Sequence, residues 1–266
     1  MSKVILITGA TDGIGLATAK DLIKLNHTVI IHGRTPAKVS GVVDQLLELN
    51  SDAKVETIIA DLSDLNQINK MADEVSQRFS QIDVLINNAG VFTAPATKTE
   101  DNLDIRFVVN TIAPYRLTQA LIPLLAANGR VVNLSSAAQA TVNLDALRGN
   151  KPLGDSDAYA QSKLALTMWS RALGLRYGQT GPMIVSVNPK SFLGSKMVKD
   201  AYGIAGNDLA LGADILVRAS LSDEFAHAHG KYFDNDLENF AAPHPDALNE
   251  TKTEQVLSVI EMLSAR

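Results

Sequence analysis

The sequence has 266 residues, of which 46% are hydrophobic and 20% are charged, with a formal net charge of -5 and no cysteine. This composition fits a packed globular chain in a reducing cytoplasm, and it excludes disulfides, thiol nucleophiles and zinc held by cysteine. The chain has neither a basic stripe nor an apolar run of the roughly 20 residues that span a bilayer, so we expect no nucleic-acid partner and no membrane partner, and we assign no metal site.

The first predicted element is a strand over Val4–Ile7, whose apolar run ends at Thr8-Gly9. A signal peptide needs a longer apolar core, so we expect the mature chain to begin at or near Met1. Further short β-rich runs follow, at Thr28–Ile31, Val55–Ala60, Val84–Ile86, Val131–Leu134 and Ile184–Val187.

These runs are apolar on both faces, as the strands of a buried parallel sheet are, and helix-length segments separate them. One segment repeats its apolar side chains at helical spacing, at Leu65, Ile68, Ala72, Val75 and Phe79. The repeated alternation predicts an α/β fold, a doubly wound parallel sheet with helices on both faces. A last strand is predicted at Lys231–Phe233 and a last helix at about Thr253–Leu263.

Two stretches interrupt this alternation, residues 137–157 and residues 188–207. Each follows the C-terminal end of a strand, where the ligands of such sheets bind, so both are predicted to be substrate-cleft loops. No linker, low-complexity tract or internal repeat divides the chain, and residues 1–266 are predicted to form a single domain.

A glycine-rich segment, Thr8–Gly15, joins the first strand to the first helix with the spacing G-xxx-G-x-G. Glycine permits positive φ and lets backbone amides approach a pyrophosphate, toward which the helix directs its positive end. The alternative is a tight turn without a ligand, but the position between strand and helix favours a cofactor. The candidate cofactor-binding residues here are Gly9, Thr11, Asp12, Gly13, Ile14 and Gly15.

The end of the second strand carries Arg34 and no acidic side chain. NAD enzymes of this architecture place an acid near this point, on the ribose 2′-hydroxyl. A guanidinium suits a 2′-phosphate instead, so the sequence favours NADP(H) over NAD(H). The alternative is that Arg34 is an ordinary solvated arginine, and the negative charge of Asp12 argues mildly against NADP(H).

Tyr159 and Lys163 stand four residues apart in a helical stretch, which places both side chains on one face. Tyrosine has a pKa of about 10, and a nearby cation lowers it toward neutrality, where the hydroxyl can give or take a proton. Taken alone, such a pair is usually a solvated helix face. Ser135 and Ser136 end the strand expected beside this helix, and a serine hydroxyl there can bind a substrate carbonyl or simply cap the strand.

The ordered set of motifs resembles the short-chain dehydrogenase/reductase family, in particular its NADP-dependent carbonyl reductases and retinol dehydrogenase-like members. The resemblance is strongest over residues 3–190. The matching motifs are Thr8–Gly15, Asp61-Leu62, Asn87-Asn88-Ala89-Gly90, Asn110, Ser135-Ser136, Tyr159–Lys163 and Asn188-Pro189.

The resemblance implies four catalytic residues. Ser136 would polarise the carbonyl, and Tyr159 would be the general acid in reduction and the general base in oxidation. Lys163 would bind the nicotinamide ribose and lower the pKa of Tyr159. Asn110 would help to hold a water that links Lys163 to solvent.

The resemblance also implies cofactor contacts and an activity. Asp61 and Leu62 would contact the adenine, and Asn88, Ala89, Gly90 and Pro189 would line the cofactor cleft. The fold would be a Rossmann fold of about seven strands. The reaction would be reversible hydride transfer between NADP(H) and a ketone, an aldehyde or a secondary alcohol. Family members pair into homodimers or homotetramers, for which Ala165, Met168, Trp169 and Leu173 are interface candidates unless they are core residues.

The sequence departs from the family pattern on the nicotinamide side. Lys190 replaces the usual glycine after Asn-Pro, and either Ser191 or Ser195 stands in for a threonine. The loop is rebuilt, or Lys190 points to solvent, or it meets an acidic ligand; we favour the second reading. An added stretch over Leu144–Asp157 is interpreted as a rim loop of the cleft, and Phe192, Met197 and Tyr202 are candidates for an apolar lid.

Two functions other than catalysis are compatible with such a sheet. A nucleotide-sensing protein with the same fold and cofactor but little turnover is the alternative, and Lys190 keeps it open. The complete set of Asn110, Ser136, Tyr159 and Lys163 argues against it, because a sensor has no chemical need for all four. A nucleotide-dependent methyltransferase would leave the Tyr–Lys pair without a role.

Overall fold

The computed structural model describes residues 2–265, apart from the side chains of residues 127 and 179, so residues 1 and 266 of the predicted domain lie outside it. Eight strands in this part of the chain form a single sheet. They are β1 (Val4–Ile7), β2 (Thr28–Gly33), β3 (Val55–Ile59), β4 (Ile82–Asn87), β5 (Leu125–Leu134), β6 (Met183–Asn188), β7 (Tyr232–Asp234) and β8 (Asn239–Ala241).

The strand order is β3-β2-β1-β4-β5-β6-β7-β8, and every neighbouring pair is parallel except β7 with β8. This order confirms the predicted doubly wound sheet. Successive strands are added on one side of β1 as far as β3 and on its other side from β4 onward, so the strand order reverses between β1 and β4. Ligands of such sheets bind at that point, in the crevice outside the carboxyl ends of the strands. The predicted loops at 137–157 and 188–207 follow β5 and β6, on the same edge.

Helices cover both faces of the sheet, as predicted. They are α1 (Gly13–Lys24), α2 (Pro36–Leu49), α3 (Leu65–Arg78), α4 (Ile105–Phe107), α5 (Ala113–Leu121), α6 (Leu144–Leu147), α7 (Asp155–Tyr177), α8 (Lys196–Tyr202), α9 (Leu209–Leu221) and α10 (Glu250–Ser264). A π-helical turn over Val108–Ile112 joins α4 to α5.

Alternate residues of the central strands divide the core into two apolar layers. In β1, Leu6 packs with α3, α5, α7 and α10, while Ile5 and Ile7 pack with α1, α2 and α9 on the other face. All three side chains are fully buried, which explains why β1 reads as a continuous apolar run. The two layers fix the sheet rigidly enough to position the side chains that follow its strands.

The structure corrects two of the strand predictions and decides whether the four interface candidates are core residues. Val55–Ala60 is not buried on both faces, because β3 is the edge strand and exposes Glu56 and Ile59. The strand β8 was not predicted, since it is only three residues long and depends on pairing with β7. The interface candidates are core residues instead, because all four are at most 1% exposed within the single chain: Ala165, Met168, Trp169 and Leu173.

No helix among residues 2–265 is both long enough and apolar enough to cross a bilayer.

Candidate active site

The glycine-rich segment forms a tight loop between β1 and α1. Gly9 and Gly13 have φ values of +64° and +55°, which few other residues adopt. A Cβ on Gly15 would lie 2.4 Å from Asn88 Nδ2 and 2.5 Å from the Gly9 carbonyl oxygen, so no side chain fits there. Asp12 caps α1 by accepting a hydrogen bond from the Gly13 amide. The loop therefore places backbone amides at the positive end of a 12-residue helix, an arrangement suited to a pyrophosphate.

Residues after β4 hold this loop in place. The Asn88 side-chain amide donates to the carbonyl oxygens of Thr8 and Gly9, at 2.8 and 2.9 Å. The Thr8 hydroxyl accepts from the backbone amides of Asn88 and Ala89, at 3.0 and 3.1 Å. Thus Asn88 and Ala89 lie against the glycine-rich loop, and the side chain of Asn88 fixes that loop; their place in the cofactor cleft stays a prediction.

His32 is a support that the sequence reasoning missed. The Gly9 amide donates to its Nδ1 at 3.1 Å, and its Nε2 lies 3.0 Å from the carbonyl oxygen of Ala60. Nδ1 accepts, so Nε2 carries the proton and the ring is neutral. Burial lowers the pKa of His32 to about 4, although the bond to Ala60 and the charge of Asp61 act in the opposite direction. No motif indicates this role, because the partners of His32 come from distant segments.

The residues predicted to contact the adenosine half of the cofactor follow β2 and β3, and they differ in how exposed and how engaged their side chains are. Arg34 is exposed just after β2 and makes no ion pair with any residue in the described part of the chain. Asp61 accepts hydrogen bonds from the amide and the hydroxyl of Ser63, at 2.9 and 2.7 Å. The Leu62 side chain is buried in the core rather than turned toward the cleft.

Ser135 and Ser136 have different environments at the end of β5. Ser135 is buried, and its hydroxyl pairs with that of Thr167 at 2.6 Å. Ser136 lines the cleft and hydrogen-bonds with Tyr159. Its backbone carbonyl accepts from the Tyr232 hydroxyl at 3.2 Å and from Gln139 Nε2 at 2.8 Å. Ser136 is therefore the serine available to a substrate, which agrees with the choice made from the family pattern.

Lys163 lies one turn along α7 from Tyr159, and its Nζ is 5.7 Å from the centre of the tyrosine ring. Nζ donates to the carbonyl oxygen of Leu134 at 2.7 Å. The side chain is 4% exposed, and burial lowers the pKa of Lys163 to about 8. Gly90 lies beside this side chain, since a Cβ at residue 90 would be in ordinary van der Waals contact with Nζ, at 3.6 Å.

The pKa of Tyr159 does not move in the expected direction. Burial raises it above the ordinary value, and the hydrogen bond with Ser136 opposes that rise without reversing it. The expectation of a pKa lowered by Lys163 is thus not met in this structure. Tyr159 is held protonated, which is the form that can give a proton to a carbonyl oxygen.

Asn110 occupies the π-helical turn between α4 and α5, a feature that often marks functional sites. Its Oδ1 accepts from the Val91 amide at 2.8 Å. Its Nδ2 donates to the Val91 carbonyl oxygen at 2.9 Å and to the Ser162 hydroxyl at 3.0 Å. Ser162 in turn donates to the carbonyl oxygen of Tyr159 at 2.7 Å. The Asn110 side chain therefore braces the backbone beside Tyr159, with its Nδ2 donating two hydrogen bonds and its Oδ1 accepting one.

A row of aromatic rings forms one wall of the cleft. The ring centres of Phe92 and Tyr159 are 4.8 Å apart, those of Phe92 and Tyr202 are 5.8 Å apart, and those of Tyr202 and Phe192 are 5.4 Å apart. Phe92 was not predicted, whereas the lid candidates Phe192, Tyr202 and Met197 all line this cleft. The wall gives an apolar surface immediately beside the side chain of Tyr159.

The other walls come from the segment after β6 and from the start of α1. The described residues that line the cleft are Ile14, Phe92, Ser135, Ser136, Ala137, Ala138, Tyr159, Asn188, Pro189, Lys190, Ser191, Phe192, Leu193, Ser195, Met197, Val198 and Tyr202. Residues 144–157 are not among them: α6 packs its Ala146 and Leu147 into the core instead.

Lys190 does not point freely into solvent, which corrects the reading that we favoured. Its Nζ lies 3.3 Å from the carbonyl oxygen of Asn235, and its side chain is 24% exposed. Its backbone has a φ of +121°, in the region that favours glycine. Ser191 donates its hydroxyl to Asp236, and Ser195 caps α8 by accepting from Val198, so both serines are already engaged.

Comparison with known proteins gives a consistent set of similarities. A family model described as short chain dehydrogenase matches residues 3–202. A human polyprenol dehydrogenase is 37% identical over 176 residues, which are 63% of this chain and 53% of that protein, so the match spans about half of that relative. Retinol dehydrogenase 12 of mouse is 31% identical over 244 residues, 87% of this chain and 77% of that protein.

Solved structures show the same architecture. An uncharacterized protein of Mycobacterium paratuberculosis has a TM-score of 0.81 and 26% identity, with 99% of this chain and 93% of that chain covered. A short chain dehydrogenase of Shigella flexneri, complexed with NADP, has a TM-score of 0.70 and 26% identity, with 88% and 97% covered.

Proposed function

The chain belongs to the short-chain dehydrogenase family, and from this premise we propose that it transfers a hydride between NADP(H) and a ketone, an aldehyde or a secondary alcohol. The observation that carries the proposal is the meeting of Ser136 and Tyr159 in one cleft, with Lys163 beside the tyrosine. This cleft is continuous with the phosphate loop through Ile14. A nicotinamide cofactor bound along it would supply the hydride, and the protein would supply positioning and proton handling.

The side chains fit the direction of carbonyl reduction. The Ser136 hydroxyl lies where it can donate to a substrate oxygen, which concentrates positive charge where negative charge develops. Tyr159 is protonated and hydrogen-bonded to Ser136, so it can give its proton to the same oxygen. Lys163 lies one helical turn away, with its Nζ 5.7 Å from the centre of the tyrosine ring, and by the family pattern it would bind the nicotinamide ribose.

The aromatic wall would shield one side of this proton transfer from water. Phe92 is 8% exposed and packs against Tyr159, with the ring centres 4.8 Å apart. An apolar wall also suits a substrate with an apolar body beside its reacting group. Two relatives are named for retinol and polyprenol, and this supports including such long isoprenoid compounds among the test substrates.

The activity test is a panel of carbonyl compounds and alcohols with cofactor absorbance as the readout. The panel spans small aliphatic ketones, aromatic aldehydes and isoprenoid aldehydes with reduced cofactor, and the matching alcohols with oxidised cofactor. We expect turnover of at least one class. Tight cofactor binding without turnover of any class would instead favour the sensor alternative.

The preference for NADP(H) is supported by Arg34, which is exposed beside the glycine loop with no competing ion pair in the described residues. Neighbouring structures of Shigella flexneri and Escherichia coli, each 26% identical, hold NADP and NADPH. Separate titrations of NADPH and NADH should show tighter NADPH binding. Arg34→Ala should remove the difference, while Arg148→Ala, which removes a partly exposed arginine on another segment, should leave it intact. Equal affinity of the unmodified protein for both cofactors would contradict the preference.

A further inference from the structure

We propose that Asp236 is a positioning residue, which holds the wall of the cleft formed by Asn188–Ser191 in the shape that the nicotinamide end of the cofactor requires. This inference rests on the proposed function, because it takes the nicotinamide to lie in the cleft with Tyr159. It concerns a part of the chain beyond residue 202, where the match to the family model ends.

The segment Asn188–Ser191 shares the cleft with Ser136 and Tyr159. The reacting carbon must lie near those two hydroxyls, so the nicotinamide ring must lie within reach of this segment. The segment is also strained, because Lys190 has a φ of +121°. A non-glycine residue in such a conformation is strained and persists only where surrounding contacts impose it.

The turn between β7 and β8 supplies those contacts. Asp236 accepts from Asn188 Nδ2 at 2.9 Å, from the Ser191 amide at 3.0 Å and from the Ser191 hydroxyl at 2.5 Å. Asn235 donates its side-chain amide to the Pro189 carbonyl oxygen at 2.9 Å and accepts from Lys190 Nζ at 3.3 Å. Each residue from 188 to 191 therefore makes a hydrogen bond with Asn235 or Asp236 of this turn.

The negative charge of Asp236 is necessary for this arrangement. Burial acts to raise the pKa of Asp236, but the donors on Ser191 and Asn188 and the charge of Lys190 outweigh it, so the pKa is lowered. An ionised carboxylate accepts from all three donors at once. An amide in its place would have one oxygen for them and would turn an N–H toward the remaining donor.

Only the binding of the nicotinamide half of the cofactor should depend on this turn. The adenosine half is expected at Gly9 and Arg34, at the ends of β1 and β2, which lie across β4, β5 and β6 from β7. A residue that merely stabilised the fold would affect the binding of both halves. A positioning residue for the 188–191 segment would affect the nicotinamide half alone.

The test compares the affinities of NADPH and of adenosine 2′,5′-bisphosphate, which lacks the nicotinamide, for the full-length protein. We expect Asp236→Ala to weaken NADPH binding by roughly tenfold or more, the scale of charge-assisted hydrogen bonds lost. It should leave the affinity for adenosine 2′,5′-bisphosphate unchanged. Asp236→Asn should weaken NADPH binding to a smaller extent, because it retains one acceptor oxygen.

Glu238→Ala is the matched control. It removes a carboxylate from the same turn, but that side chain is 75% exposed and lies 4.0 Å from Lys190 Nζ, so both affinities should stay at the wild-type values. Unchanged NADPH binding by Asp236→Ala would overturn the inference. Equal weakening of both ligands would also overturn it, because Asp236 would then support the fold as a whole. Failure of the wild-type protein to bind NADPH would refute the proposed function instead.

Discussion

Acidification is expected to destabilise the protein through His32, which lies between the phosphate loop and the end of β3. The Gly9 amide donates to Nδ1, so that nitrogen must remain unprotonated for the contact to persist. Burial lowers the pKa of His32 to about 4 from an ordinary value of 6.5. Below the ordinary value, the unfolded chain therefore takes up a proton that the folded chain refuses.

The sign and size of the effect follow from this difference. A folded-state pKa below the unfolded-state pKa contributes stability that is fully present above pH 6.5 and is lost as the pH falls to about 4. Each pH unit in that window corresponds to about 1.4 kcal/mol. Across the window, His32 should reduce the free energy of unfolding by about 3 kcal/mol.

The assay is urea unfolding at steps of pH, for the wild type and for His32→Gln. Carboxylates and the other histidines, including His27 and His229 with their own lowered pKa values, titrate in both proteins. The difference between the two curves therefore isolates His32. We expect the wild type to be the more stable protein at neutral pH, with an advantage that shrinks toward pH 4.

A second measurement covers the case in which the variant does not fold. The titration of the five histidine rings by NMR should show one ring with a pKa far below 6.5. Parallel unfolding curves, or five rings that all titrate near the ordinary value, would refute the reasoning about His32.

Two further predictions concern single backbone positions. Gly15→Ala should lower the free energy of unfolding by roughly 1–3 kcal/mol and abolish cofactor binding, because the added Cβ would lie 2.5 Å from the Gly9 carbonyl oxygen. The control is Gly41→Ala on α2, where the added Cβ meets no atom within 4 Å. It should raise the free energy of unfolding by about 1 kcal/mol. Equal melting temperatures for these two variants would contradict the steric account. Lys190→Gly should be more stable than Lys190→Ala by roughly 1–2 kcal/mol in urea unfolding, because both lose the side chain but only glycine relieves the positive φ; the reverse order would show that residue 190 is unstrained.

Much of the fold could be predicted because its signals are local. The apolar run Val4–Ile7 and the glycines of the following loop report buried strand and positive φ through their own residue types. The spacing of Tyr159 and Lys163 similarly fixes one helix face, and the structure brings Ser136 to the tyrosine. Residue types and short spacings therefore indicated the chemistry before any tertiary contact was known.

The supports of the site could not be predicted in the same way. His32, Phe92 and Asp236 act on segments 23 to 67 residues distant from them, through pairings that only the sheet order creates. The direction of the Tyr159 pKa was also missed, because spacing along a helix shows a nearby cation but does not show how deeply the phenol is buried. Lys190 was misjudged for a related reason, since its partner Asn235 lies on a turn near the far end of the chain.

The most direct test of the central claim is single-turnover hydride transfer, with protein saturated with reduced cofactor and mixed with a substrate found in the panel. Tyr177→Phe, which removes a hydroxyl elsewhere on α7, is the matched control and should react like the wild type. The account predicts that Tyr159→Phe reacts slower by roughly 10²- to 10⁴-fold, the usual contribution of general acid catalysis, with cofactor affinity retained. A Tyr159→Phe protein that transfers hydride as fast as the wild type would contradict the assignment of Tyr159 as the proton donor.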